Sequence, residues 1–310
     1  MKLLKKVKLS GSELHVSKLC LGTMTFGNPV NENEAIDIIH FALESGVNFF
    51  DTANMYEGYD RYIGSPGGTA EKILGKSIIQ SRSDVVIATK VGMKIGLNSD
   101  DEGLSPEHIT RECDKSLDRL GVDYIDIYYM HKPDPYTDIR YSIDTFNELI
   151  VNGKIKYWGL SNFNIEQTKN ILKICDSSSY SRPIVIQPSY SLINRDIEND
   201  LLPLCDLEQI SIIPYQILEG GLLTGKYDNN INIPINSRAQ LKPEWIPKLH
   251  DAELKIKLDL IHKESKIKKR NILEHTILET LSKLSIESVI IGVTSIKQLD
   301  NIIKIIYDNQ

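Results

Sequence analysis

No run of apolar residues in the chain approaches the ~20 that a helix needs to cross a bilayer, and the basic start, MKLLKKVKLSGSEL, has no long apolar stretch behind it. A membrane span and a secretory leader are therefore not expected, and the reading is of a cytoplasmic protein without a membrane partner. Positive charge is also short: 36 Lys and Arg against 42 Asp and Glu leave a formal charge of −6, which provides no basic field for nucleic acid. The one basic cluster, 266–270, lacks interleaved aromatics and reads as a helix end or a turn between helices. Cysteine is sparse. Cys20, Cys113, Cys175 and Cys205 lie 93, 62 and 30 residues apart, which is neither a CxxC pattern nor a disulfide framework, so four free thiols are expected. His15, His40, His108, His250, His262 and His275 lack metal-ligand spacing, and no metal site is expected. Nor is there a linker rich in Pro, Gly and Ser, so residues 1–310 read as one domain, a size that α/β barrels fill.

What the chain does have is alternation. Short, nearly continuous apolar runs at 19–22, 47–50, 85–88, 124–130, 155–160, 184–186, 210–213 and 288–291 are separated by stretches of helical periodicity. Continuous apolarity marks strands buried on both faces, and strands alternating with helices mark repeated βα units with a parallel sheet. Eight such runs predict a (β/α)8 barrel. Helix starts fall between them: Ser105 ahead of Pro106 and Glu107, and Asn164 ahead of Gln167. Residues 7–9 and 14–16, joined across Ser10-Gly11-Ser12, predict a β-hairpin outside the repeat. Two loops exceed what the barrel requires, 58–68 after strand 2 and 225–245 after strand 7, and long loops in compact domains are usually functional.

In such a barrel the chemistry lies at the C-terminal ends of the strands, so the first polar residues after each apolar run are the candidates. Asp51 follows Phe50, Lys90 follows Thr89, His131 follows Met130, and Tyr56 comes five residues after Asp51. Singly, each has a plain structural role open to it, as a turn cap, a solvated strand end or a loop aromatic. Together they form a coherent reduction site. Hydride delivery to a carbonyl carbon creates an alkoxide, which needs a proton donor and fixed positive charge. Tyr56 can donate the proton, Lys90 can stabilise the phenolate, Asp51 can orient Lys90, and His131 can hold the carbonyl oxygen. The hydride itself must come from a cofactor. Met24 is a candidate for the substrate pocket, whereas Trp158, Tyr128 and Tyr129 read as core; the polar loop 59–62, with Asp100-Asp101-Glu102, reads first as solvated, with contact to a polar or sugar-like substrate as the alternative.

LGTMTFG at 21–27, DTANMY at 51–56, TAEKILG at 69–75, Thr89-Lys90 and 117–130 leading into His131 together resemble the aldo-keto reductase family over nearly the whole chain. The pattern is nearest the branch that includes potassium-channel β subunits and related bacterial reductases. The resemblance implies a barrel that binds NADP(H), with NAD(H) as the alternative, and a catalytic tetrad on Asp51, Tyr56, Lys90 and His131. Substrate contacts are then expected from Met24, Tyr56 and His131, with a small-molecule carbonyl as substrate. It further implies that Gly22, Thr23, Met24 and Asp51 line the cofactor site, that Ser161, Asn162 and Gln187 hold the carboxamide, and that Tyr215 stacks on the nicotinamide. Gln216, Leu218, Gly220, Gly221 and Lys226 correspond to the pyrophosphate loop, Arg238 to a second phosphate contact, and Gly292, Thr294 and Gln298 to the adenosine-phosphate motif. A GxGxxG fingerprint is not needed, because this family binds the dinucleotide on a barrel. Two departures stand out: Asn301 and Ile302 occupy the positions of the usual acidic residue and Asn at the adenine, and Thr294 stands where NADP-specific members often place a cation. The alternative function is that of a cofactor-binding regulatory subunit with little turnover. The same residues run in reverse would oxidise an alcohol.

Overall fold

The computed structural model describes residues 3–227, 233–246 and 251–310. The chain opens with an antiparallel hairpin, β1 (Lys6–Lys8) and β2 (His15–Ser17), closed where the Leu9 amide donates to the Leu14 carbonyl at 2.9 Å. Eight parallel strands follow: β3 (Leu19–Gly22), β4 (Phe49–Asp51), β5 (Val86–Val91), β6 (Ile125–Met130), β7 (Ile155–Ser161), β8 (Val185–Gln187), β9 (Ser211–Ile212) and β10 (Val289–Gly292). Each pairs with the next in chain order, and β10 returns to pair with β3. Between β9 and β10 the ring is joined by the Ile212–Ile286 bridge and by the Ile290 amide donating to the Pro214 carbonyl at 3.0 Å. The predicted eight strands and the hairpin are therefore present as a (β/α)8 barrel.

The helices are α1 (Glu32–Glu44), α2 (Thr69–Ile78), α3 (Pro106–Leu120), α4 (Ile139–Val151), α5 (Ile165–Ser178), α6 (Leu201–Leu207), α7 (Arg238–Leu241), α8 (Ala252–Ile267), α9 (Ile272–Leu281) and α10 (Ile296–Asp308). Their starts follow local chemistry. Ser105 accepts from the His108 amide with Pro106 in the first turn, and Asn164 and Gln167 form a reciprocal capping box, which satisfies amides that the helix itself leaves open. The basic run 266–270 spans the end of α8 and the turn into α9, as expected. The loop 225–245 carries α7 and a short turn, and its residues 228–232 lie outside the described residues, as does His250.

Side chains alternate across each strand, and that alternation makes two cores. Cys20, Phe49, Val86, Ala88, Ile127, Tyr129 and Val185 point into the barrel, whose lower end is plugged by Leu9, Leu14 and Val16 from the hairpin. Leu21, Phe50, Ile87, Tyr128, Met130 and Leu160 point outward under the helices. Tyr128, Tyr129 and Trp158 are buried, with Tyr128 stacked on Phe146 at 5.3 Å, so they belong to these cores. All four cysteines are free and buried.

Candidate active site

Continuing the inward alternation upward leads to the site. Phe49 is followed on the same face by Asp51, Val86 and Ala88 by Lys90, and Ile127 and Tyr129 by His131, so three neighbouring strands lift three polar groups to one mouth. Tyr56 arrives from the loop after β4, whose path is fixed to the next strand: the Thr52 amide donates to the Ala88 carbonyl at 2.8 Å and the Asn54 amide to the Lys90 carbonyl at 3.3 Å.

Lys90 is fully buried and uses all three ammonium protons. It donates to Asp51 Oδ1 at 2.6 Å, to the Thr52 carbonyl at 2.8 Å and to the Tyr56 hydroxyl oxygen at 3.2 Å. The second oxygen of Asp51 accepts from Gln187 Nε2 at 2.8 Å. Because the phenol oxygen of Tyr56 accepts from Lys90, its own hydrogen is left to donate elsewhere. The His131 ring meets the Tyr56 ring edge-on at 6.0 Å between centroids.

The electrostatics follow from burial. Desolvation works against the Lys90 ammonium, but Asp51 and Tyr56 outweigh it and lift the group above its ordinary value. Burial also lifts the Asp51 carboxyl, against the pull of Lys90 and Gln187. The Lys90 ammonium does pull the Tyr56 phenol down, as its place beside the ring implies. Burial pushes it up by more, so the net direction is upward and Tyr56 keeps its proton at neutral pH. His131 is driven well below the usual imidazole range, by burial first and then by Lys90, Lys132 and Arg61, so it is neutral. A neutral imidazole beside a loaded phenol and a fixed cation presents hydrogen-bond donors where an oxygen would gain negative charge.

The sequence model of the aldo/keto reductase family matches residues 18–309. The chain belongs to the aldo/keto reductase family. Among curated relatives it is 37% identical over 239 residues to a probable voltage-gated potassium channel subunit beta of Arabidopsis thaliana, covering 76% of this chain and 70% of that protein. It is 34% identical over 256 residues to the NADH-specific methylglyoxal reductase of Escherichia coli K12, covering 76% and 74%. Among solved structures, aldo-keto reductase AKR11C1 from Bacillus halodurans in its holo form superposes with a TM-score of 0.78 at 28% identity, over 98% of this chain and 91% of that one.

Aldo/keto reductases bind nicotinamide cofactors, and the residues expected to do so here ring the same mouth. Gly22 and Gly292 face one another at the ends of β3 and β10. Thr23 is buried, and its hydroxyl donates to the Asp51 carbonyl at 3.0 Å, so it braces the site. Met24 is half-buried. Ser161, Asn162 and Gln187 form a connected amide and hydroxyl set: Ser161 donates to the Gln187 carbonyl at 3.0 Å, and Asn162 donates to the His131 carbonyl at 2.8 Å and accepts from the Tyr215 hydroxyl at 2.6 Å. Gln216 and Leu218 lead into a loop where Gly220 and Gly221 adopt φ of 63° and 105°. A Cβ on Gly221 would fall 2.2 Å from Lys226 Cε, so the loop is a cradle of bare backbone with a cation folded over it, which fits a pyrophosphate. Arg238 reaches the same loop, its Cδ 3.3 Å from where a Cβ of Gly220 would stand. Where the adenosine is expected, Gln298 accepts from the Thr294 amide at 2.9 Å. Ile302 is buried in the helix-facing core, so its position offers adenine no polar contact, while Asn301 is exposed.

Several contacts of the mouth are not legible in the sequence. The 59–62 loop is not simply solvated: Tyr59 is buried and accepts from Arg238 Nε at 3.1 Å, and Arg61 donates to the Met55 carbonyl at 2.7 Å and to the Lys94 carbonyl. No local pattern announces these contacts, two of which, Tyr59 with Arg238 and Arg61 with Lys94, join loops distant in sequence. Glu71 and Glu112 lie buried behind the site, with the partly exposed Arg119 between them. Glu112 was legible in principle, because it falls within the apolar stripe of α3 between Ile109 and Ser116.

Proposed function

We propose that the chain is an NADP(H)-dependent carbonyl reductase that converts a small aldehyde or ketone to an alcohol, with Tyr56 as proton donor. The observation that carries this reading is the Tyr56 hydroxyl held 3.2 Å from a fully buried Lys90 whose other protons are spent on Asp51 and Thr52. Reduced nicotinamide, when bound, supplies the hydride. The chain's own residues do the rest. Ser161, Asn162 and Gln187 present amide and hydroxyl groups for a carboxamide, with Tyr215 offering its ring beside them. Substrate enters against Met24, and its carbonyl oxygen accepts from the neutral His131 ring and the Tyr56 hydroxyl. As charge grows on that oxygen the phenol proton transfers, a favourable step because an alkoxide is far more basic than even a phenol raised by burial. Lys90 stabilises the phenolate left behind, and Asp51 keeps Lys90 in place.

The choice of NADP(H) rests on Lys226 and Arg238 beside the phosphate cradle. NAD(H) is the alternative, supported by Thr294 in place of a cation and by the Escherichia coli relative named as NADH-specific. A second reading, a cofactor-binding regulatory subunit, is supported by relatives named as potassium channel β subunits. The substrate class and the free thiols fit a protein of the cytoplasm.

Fluorescence titration with NADPH and NADH, followed by absorbance of the reduced cofactor against aldehydes, ketones and keto-sugars, tests these readings. Micromolar NADPH binding with multiple turnovers is expected. Tight binding without turnover on any carbonyl would favour the regulatory reading, and preference for NADH would overturn the cofactor assignment.

A further inference from the structure

Among the described residues, only Glu71, Lys90 and Glu112 combine a carboxyl or ammonium group with no exposed surface. Lys90 belongs to the reaction. The two carboxyl groups lie on the opposite side of the strands, on α2 and α3, where burying a charge costs several kcal/mol unless it is well paired. The fold pairs both through Arg119: its Nη1 is 2.8 Å from Glu71 Oε2 and its Nη2 is 3.7 Å from Glu112 Oε2, while Lys115 Nζ is 2.8 Å from Glu112 Oε1. This path exists because residue 68 is glycine. A Cβ there would fall 2.5 Å from Arg119 Cδ, and the φ of 89° is one that L side chains rarely adopt.

The remaining acceptor capacity goes to the two segments that carry the proton-transfer pair. Thr89, which faces outward because Lys90 faces inward, donates to Glu71 Oε1 at 2.6 Å. Asn54, midway between Asp51 and Tyr56, donates to Glu112 Oε2 at 3.3 Å. The same helix start holds the far side of the loop, where the Ala70 amide donates to the Tyr56 carbonyl at 3.0 Å. Thus β5 is gripped one residue before Lys90, and the loop is gripped two residues before Tyr56 and at Tyr56 itself.

We propose that Glu71, Arg119 and Glu112 are positioning residues for the reduction, a charged frame of two buried carboxyl groups and the arginine between them that fixes Thr89 and Asn54 and so sets the separation of Tyr56 and Lys90. The proposal rests on the reductase reading above. A seam that only packed α2 against α3 would gain nothing from charge, since apolar residues of similar volume fill such a space at no loss of stability. What polar atoms add here is a fixed register between two segments whose reacting groups must meet within a hydrogen bond, and displacement by about 1 Å costs on the order of 100-fold in rate.

The test compares Glu71→Gln and Arg119→Met with Asp126→Asn, which breaks a buried pair at the opposite end of the barrel. Each is assayed for kcat per folded molecule, for NADPH dissociation constant by fluorescence, and for the 13Cζ resonance of Tyr56, assigned with Tyr56→Phe. The groups facing that phenol are Lys90, Asp51 and His131. In the frame variants kcat should fall about 10- to 100-fold, the Tyr56 resonance should move, and NADPH affinity should stay within about threefold. Asp126→Asn should change neither turnover nor resonance. A kcat retained within about threefold, or an unmoved resonance, in Glu71→Gln overturns the positioning role. If Glu71→Gln does not fold, Thr89→Val, which removes only the hydroxyl contact, carries the same expectations. A wild-type protein that reduces no carbonyl sinks the reductase reading alone, and the resonance then decides the frame.

Discussion

The two ends of the barrel use the same device for opposite ends. At the base, Asp126 at the start of β6 accepts from the Ile87 amide at 3.0 Å and pairs with Arg82 at 2.9 Å and Lys156 at 3.3 Å, while both cations lie over the Tyr124 ring. At the mouth, Asp51 pairs with Lys90, and Lys90 passes the interaction on to Tyr56. The base pair closes on itself and ties strands together. The mouth pair ends on a hydroxyl, that of the proposed proton donor. Buried charge at one end therefore ties strands together, and at the other it serves the group proposed to react, which is the division expected of barrel enzymes.

The largest expected effect separates these roles at the mouth. Tyr56→Phe removes the proposed proton donor and leaves the Gly220–Gly221 loop untouched, so kcat should fall on the order of 10³-fold with NADPH affinity unchanged. Near-wild-type turnover by that variant would refute Tyr56 as the acid. Next comes the base: Asp126→Asn leaves Arg82, bonded otherwise to the Val85 and Tyr124 carbonyls, without its counter-charge, and should cost about 3 kcal/mol in urea unfolding. Its turnover per folded molecule should match wild type. Loss of turnover without loss of stability would erase the distinction between the two ends.

Glu287, just before β10, sharpens the comparison through pH. Burial pushes its carboxyl up to about 7 from the ordinary 4.5, partly opposed by hydrogen bonds from its own amide, Ser211 and the Ile212 amide. A raised value means that the folded state holds the proton more tightly than the unfolded chain. Stability from this group is full below the unfolded value, and is lost as pH rises from about 4.5 to about 7. Glu287→Gln removes that loss, so it should stabilise the protein at pH 8 by about 3 kcal/mol and by nearly nothing at pH 4. Equal effects in urea melts at the two pH values would show that the side chain acts by packing and not by titration.

Much of this organisation is legible in the chain. Apolar runs gave strand positions because both faces of each strand are buried, and strand alternation then places Asp51, Lys90 and His131 inward with no further information. Tyr56 was found by proximity to Asp51. What stayed hidden depends on pairing across distance. Glu71 appears in the sequence as one more acidic residue in a helix start, and nothing local reveals that Arg119, 48 residues later, lies over Gly68 to meet it. The direction of the Tyr56 shift was hidden for a related reason: the cation beside it was evident from the residues, but the depth of burial that outweighs it belongs to the assembled mouth. Ile302 reads as a lost adenine contact in sequence, and the packed helix shows what replaced it, a core side chain under α10.

The smallest expected effect concerns the two long loops, where the mouth is held by contacts more exposed than those of either end. Tyr59 accepts from Arg238 and packs edge-on against Trp245 at 5.4 Å, which joins the loop after β4 to the segment beside the Gly220–Gly221 cradle. One hydrogen bond to a charged, partly exposed guanidinium contributes about 1 kcal/mol, so Tyr59→Phe should keep the ring contact and lose only that term. Cofactor release, followed by stopped-flow fluorescence, should then quicken about fivefold with kcat for the proton step unchanged. Because Arg238 is also the proposed phosphate contact, an unaltered release rate would mean that the arginine binds the cofactor equally well without its tyrosine, and that the two loops act independently. A faster release would make them one clasp, weaker than the buried pairs at either end of the barrel and suited for that reason to open and close on each turnover.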